Sequence, residues 1–143
     1  MRLVVQRVTE SNVSVGDELV GKIDHGLLVL VGVNEKDSES TALEMAKKLS
    51  KLRVMADGSG KMNLNVKEVG GKLLVISQFT LYADTSKGNR PSFIKAAKPK
   101  KAKEIYDIFI GELKNLGLNV ETGKFGEYMR IKSVLDGPVT IIF

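Results

Sequence analysis

No cysteine and no tryptophan occur in the 143 residues, and there is a single histidine and only three prolines. The missing thiols exclude a disulfide framework, a thiolate nucleophile and a zinc–thiolate centre. His25 stands alone in the turn-like Asp24-His25-Gly26 and reads as a solvated turn residue with no role. Without a second histidine a His-based zinc site lacks its ligands, and a Ser-His-Asp triad would have to use His25. No clustered carboxylate motif suggests magnesium, and neither GxxxxGK[ST] nor GxGxxG appears, so nucleotide hydrolysis and dinucleotide binding have no support. No metal and no cofactor are expected. No apolar run approaches the roughly 18 residues needed to cross a bilayer. The N-terminal residues enter a strand pattern directly, without the charged and then apolar order of a leader, so a cytoplasmic protein is expected. An enzyme made from this chain would work by positioning and polarising its substrate rather than through a strong side-chain base.

What is present is an ordinary globular composition, 43% hydrophobic, with a formal charge of +5 that is unevenly spread. Between Thr85 and Lys103 stand Lys87, Arg90, Lys95, Lys98, Lys100, Lys101 and Lys103, with no acidic residue among them. Such a block concentrates a polyanion and makes its binding salt-sensitive, without reading its sequence. A solvated lysine-rich loop and helix start is the plain alternative.

The local patterns alternate between the two structural periods. Residues 2–8 alternate and are rich in valine; Val13–Val15 and Glu18–Val20 flank a tight Gly16-Asp17 turn; Leu27–Val33 is continuously apolar, as in a strand buried on both faces. Ala42, Met45, Ala46, Leu49 and Leu52 recur at helical spacing behind the capping candidates Asp37 and Ser38. Asp57-Gly58-Ser59-Gly60 marks a turn, and Lys72–Ser77 a further strand. A polar loop spans about 83–92, and a second amphipathic helix runs from near Pro99 to Gly117. Short strands are expected over 118–121, 127–134 and 138–143. The pattern predicts one α+β domain over 1–143, with a curved, barrel-like, mostly antiparallel sheet and two packed helices.

Two short segments carry the chemistry. Ser77-Gln78-Phe79-Thr80-Leu81 puts hydroxyls and an amide at the end of a strand-like run. Its backbone N–H groups around Phe79 and Thr80 suit an oxyanion, and the Thr80 hydroxyl can donate to that oxyanion or act as a nucleophile. Alternatively, its Ser and Thr simply satisfy a strand end. Asp136-Gly137-Pro138-Val139-Thr140 sets a Gly-Pro pair between β-like runs, where proline removes a backbone donor. An ordinary turn between two strands reads equally well from these residues alone.

Together these segments resemble the signature motifs of the D-aminoacyl-tRNA deacylases. Met1–Val8, Gly60–Leu64, Leu81–Thr85 through Arg90–Phe93, and Glu121–Gly126 resemble the same family in the same order, so the likeness spans essentially the whole chain. The resemblance implies a homodimer with active sites where the subunits meet, hydrolysing the ester of D-aminoacyl-tRNA. It implies catalytic positions at Ser77, Gln78, Phe79 and Thr80, and a cis Gly137-Pro138 that enters the partner's site and excludes L side chains. Glycyl esters, having no side chain to exclude, would then be admitted. Phe125, Gly126 and Met129 match the family segment around the terminal adenine, and Arg7 matches a residue that braces the Gly-Pro motif. Leu135 stands where the family usually has Asn, which removes one side-chain brace of that loop. A non-catalytic RNA-binding module using residues 87–103 is the rival reading.

Overall fold

The computed structural model describes residues 1–143. In chain order the elements are β1 (Arg2–Val15), β2 (Glu18–Ile23), β3 (Gly26–Gly32), α1 (Glu39–Ser50), β4 (Arg53–Ala56), β5 (Met62–Asn65), β6 (Lys72–Ser77), a 3₁₀ turn (Phe79–Tyr82), α2 (Pro99–Asn115), β7 (Asn119–Thr122) and β8 (Arg130–Ile142). The main sheet runs β2-β1-β3-β6-β7, with β8 also on β1, while β4 and β5 form a separate hairpin. Strand β1 is antiparallel to β2, β3 and β8; β3–β6 and β6–β7 are parallel. Residues Val4, Val5, Gln6 and Val8 pair with both β3 and β8, so these two neighbours occupy opposite edges of β1.

Alternation along the strands divides the interior in two. Leu27, Val29 and Val31 of β3, with Leu73 and Val75 of β6, face the helices and join Ala42, Ala46 and Leu49 of α1 and Ile105, Phe109 and Leu113 of α2 in one buried cluster. Leu28, Leu74 and Ile76 face the other way and meet Val8, Val13 and Ile23 inside the curve of the sheet. That double burial is why Leu27–Val33 reads as a continuous apolar run. The curve is nearly closed: a Cβ built on Gly21 of β2 would lie 2.7 Å from the Thr122 carbonyl oxygen of β7, so only glycine lets the two ends of the sheet meet there.

Helix α1 is capped by Ser38, whose hydroxyl accepts from Thr41 N–H while the Thr41 side chain answers to the Ser38 backbone. Asp37, the other capping candidate, turns inward instead and accepts from the Asn34 N–H and the Met1 ammonium. Helix α2 begins at Pro99, whose missing N–H is no loss in a first turn. The expected strands 127–134 and 138–143 are one strand, β8. Its pairing with β1 steps from Gln6↔Thr140 to Val8↔Leu135, so residues 136–139 bulge out opposite Arg7 alone. No helix is long and apolar enough to cross a membrane.

Candidate active site

The carboxyl ends of the three parallel strands lie side by side, the place where open α/β sheets leave a crevice. A cavity of about 720 Å³ opens there. Val33 follows β3, Ser77 and Gln78 close β6, and the segment from Phe125 to Met129 follows β7; all of them line it. The 3₁₀ turn contributes Phe79 and Thr80, and Phe93, Ala97 and Ala102 complete the wall from the loop and α2.

The turn is fixed at both ends. Gln78 N–H donates to Val31 O at 2.7 Å, tying the end of β6 to β3, and Leu81 N–H donates to Gln78 O at 3.3 Å. That second bond is the first of the turn, and the Phe79 and Thr80 N–H groups precede it. The Gln78 side-chain amide donates to the Thr80 hydroxyl oxygen. The hydroxyl proton is thereby left to point elsewhere, and no base is hydrogen-bonded to it. Phe79 is largely exposed, and its ring meets Phe93 edge-on at 5.0 Å. Arg2 donates to Leu81 O at 2.8 Å and stacks over Tyr82, holding the turn from behind. Burial, followed by the Asp37 charge, raises the Tyr82 phenol above its ordinary pKa.

On the far wall, Phe125 packs against Tyr106 at 5.9 Å between centroids. The Tyr106 hydroxyl donates to Val75 O at 2.8 Å, and burial raises its pKa, so this ring is a neutral post beneath the cavity. Met129 leaves no room for a side chain at Gly123, where a Cβ would sit 2.4 Å from the Met129 sulfur. Gly126 has φ +82°, a conformation natural to glycine.

Arg7, Gly137 and Pro138 do not line this cavity. Arg7 instead reaches along the bulge of β8: its Nε lies 2.9 Å from the Asp136 carboxylate and 3.3 Å from the Asp136 carbonyl, while Nη1 donates to Val54 O at 2.9 Å. The Gly137–Pro138 peptide is cis, Gly137 has φ +125°, and both residues are exposed. Ser77, Gln78, Phe79, Thr80, Phe125, Gly126 and Met129 therefore share one cavity, and the Gly-Pro pair is not part of its lining. His25 is exposed, with Nε2 3.0 Å from Val69 O, far along the fold from these groups.

Sequence reasoning missed Phe93, Ala96, Ala97 and Tyr128 as lining residues. An isolated Phe in a polar, cationic loop was the one available signal for Phe93; the alanines offered none.

The comparisons with known proteins agree along the whole chain. The family model described as D-Tyr-tRNA(Tyr) deacylase matches residues 4–143. A D-aminoacyl-tRNA deacylase of Roseiflexus sp. (strain RS-1) is 53% identical over 142 residues, covering 99% of this chain and 92% of the relative. One of Bacillus licheniformis is 54% identical, covering 99% and 97%. Among solved structures, a c-Myc DNA unwinding element binding protein superposes with a TM-score of 0.94 at 38% identity, covering 100% of this chain and 97% of the other.

Proposed function

The chain belongs to the D-Tyr-tRNA(Tyr) deacylase family and is a hydrolase, a D-aminoacyl-tRNA deacylase, and on that premise we propose how its residues divide the work. Residues 1–143 act as one deacylase domain. The terminal adenosine of the tRNA enters the large cavity with its base toward Phe125, Gly126 and Met129 and its ester carbonyl toward the 3₁₀ turn. Water adds to that carbonyl, the ribose oxygen leaves with a proton, and free D-amino acid and tRNA are released. The Phe79 and Thr80 N–H groups stabilise the oxyanion, an interaction made only as charge develops. The neighbouring ribose 2′-hydroxyl orients the water. Ser77 and Gln78 position the ester, Gln78 by fixing the Thr80 hydroxyl.

Selectivity is assigned to Gly137-Pro138. One methyl in a soft pocket discriminates by only about 1–3 kcal/mol, so a rigid backbone element that leaves no volume for an L side chain is the better device. On this reading glycyl esters are hydrolysed too. The pair does not line its own cavity and is exposed, and this is the observation that supports a homodimer in which each copy lends the motif to the other. The free edge of β8, with Ile131, Val134, Leu135 and Ile142 exposed, is the surface a second copy would cover.

The carrying observation is the cavity at the ends of β3, β6 and β7, where the adenine-side and ester-side residues converge. The test is deacylation of matched D-tyrosyl-, L-tyrosyl- and glycyl-tRNA. Rapid loss of the D and glycyl esters with the L ester spared is expected. Inertness toward all three with tRNA still bound would favour the RNA-binding module.

A further inference from the structure

A second, smaller cavity of about 220 Å³ lies beside the first and is lined by Asp84, Lys87, Arg90, Ser92, Ile94 and Lys95. Its charges are not balanced. The Asp84 carboxylate is already committed, accepting from Ser86 N–H at 3.0 Å and Ser86 Oγ at 2.7 Å and pairing with Lys95 at 2.8 Å. These bonds, the Lys95 one foremost, hold its pKa well below the usual carboxylate range, so it stays an anion neutralised by Lys95. Lys87 and Arg90 have no hydrogen-bond or ion-pair partner in the chain, and the Ser92 hydroxyl is likewise unengaged. Two cations and a hydroxyl donor therefore surround a space whose one carboxylate is already paired.

The loop bearing them is held at its base. Asp84 N–H donates to Ser92 O at 2.8 Å and Ser92 N–H donates back to Asp84 O at 2.9 Å, closing residues 85–91 into a short arch. The placement relative to the large cavity is set by three consecutive residues. Ser92 and Ile94 line the small cavity, whereas Phe93 between them lines the large one and packs on Phe79. The two cavities thus lie on opposite sides of one stretch of backbone.

We propose that the small cavity binds a backbone phosphodiester of the same tRNA strand whose terminal adenosine occupies the large one, with Lys87, Arg90 and the Ser92 hydroxyl as its donors. This rests on the deacylase reading, and it gives the basic segment a definite contact rather than a diffuse field. An Arg and a Lys around one phosphate supply charge-assisted bonds, and a hydroxyl completes the set. The contact fixes where the strand enters without reading its bases.

The test compares a D-aminoacyl-tRNA with the same D-amino acid esterified to adenosine alone, using the full chain and the double variant Lys87→Gln/Arg90→Gln. For the tRNA substrate, KM is expected to rise about tenfold or more, with kcat within about twofold. For the adenosine ester, which carries no phosphate, kcat/KM is expected to hold. The log–log salt slope of tRNA binding should become shallower by about 0.7, the share of one single-stranded phosphate. Unchanged KM and slope, or equal losses on both substrates, would overturn the proposal. If the unaltered protein hydrolyses neither ester, the deacylase reading fails instead; the salt slope for uncharged tRNA then still decides whether this cavity meets a phosphate.

Discussion

Arg7 grips Asp136 twice, through its carboxylate at 2.9 Å and its carbonyl at 3.3 Å, and so ties the bulge of β8 to the strand beneath it. The same guanidinium also donates to Val54 O, so one side chain joins β1, β4 and β8.

Replacing Arg7 by Ala is expected to lower kcat/KM on a D-aminoacyl-tRNA by about a hundredfold, the scale on which misplacing a rigid element that frames the substrate by about an ångström acts. Stability should fall by only about 1–2 kcal/mol, because the Asp136 side chain is nearly half exposed and its ion pair is screened. Arg7→Lys should not rescue activity, since an ammonium lacks the fork that spans Asp136 and Val54 together. Kinetics beside a thermal melt separate the two effects; a variant that hydrolyses normally would remove Arg7 from the mechanism.

Thr80→Ala discriminates positioning from nucleophilic attack. The Thr80 oxygen accepts from Gln78, and no base is hydrogen-bonded to it. A loss of no more than about a hundredfold in kcat is therefore expected, the scale of one oxyanion donor. A loss of several orders of magnitude, or a trapped acyl-enzyme, would show covalent catalysis.

Gly21→Ala probes closure of the sheet. The added Cβ would meet the Thr122 carbonyl oxygen at 2.7 Å and Leu74 Cδ1 at 3.2 Å. Backbone cannot yield as a side-chain tip can, so destabilisation of about 1–3 kcal/mol is expected. Urea unfolding at fixed protein concentration reads it directly; an unchanged midpoint would mean that β2 and β7 part at little cost.

Asp57 sets the acid limit of the β4–β5 hairpin. Its carboxylate accepts from Ser59 N–H, Ser59 Oγ, Lys61 N–H and the Asn63 side-chain amide. These bonds, led by the Ser59 hydroxyl, hold its pKa well below the ordinary range. A depressed native pKa adds stability above the unfolded value near 4, and that contribution is lost as pH falls below it. Protection factors of the hairpin amides, with exchange corrected for its intrinsic pH dependence, should therefore fall below about pH 4 in the parent and already be low at neutral pH in Asp57→Ala. Equal exchange in both at neutral pH would contradict this.

How far the fold is legible depends on whether neighbours in sequence decide it. Leu27–Val33, Lys72–Ser77 and the two helices announce themselves, because burial on one or both faces is written into their period. Met62–Asn65 is too short to rise above its turn and forms a strand only through β4. Gly137-Pro138 reads locally as a break between two strands, yet the β1 ladder resumes beyond it and makes one strand with an excursion. Within the site, Ser77–Thr80 and Phe125–Met129 are visible through their resemblance to a family. Ala96 and Ala97 become cavity wall only because the Asn34–Ala96 bridge and the Ala97-to-Val33 hydrogen bond bring the loop across β3, which no local pattern encodes.

Strand β1 pairs with β8, its partner from the opposite end of the chain, through contacts such as Val4↔Ile142. On a ribosome those partners are made more than a hundred residues apart, about ten seconds or so at ordinary rates of synthesis. Throughout that interval one edge of β1 waits unpaired. Arg7 has nothing to grip, and the Gly-Pro excursion does not yet exist. The excursion thus takes shape only once β8 has been made and has found β1, so the order of synthesis places the Arg7–Asp136 clasp after every other contact of β1.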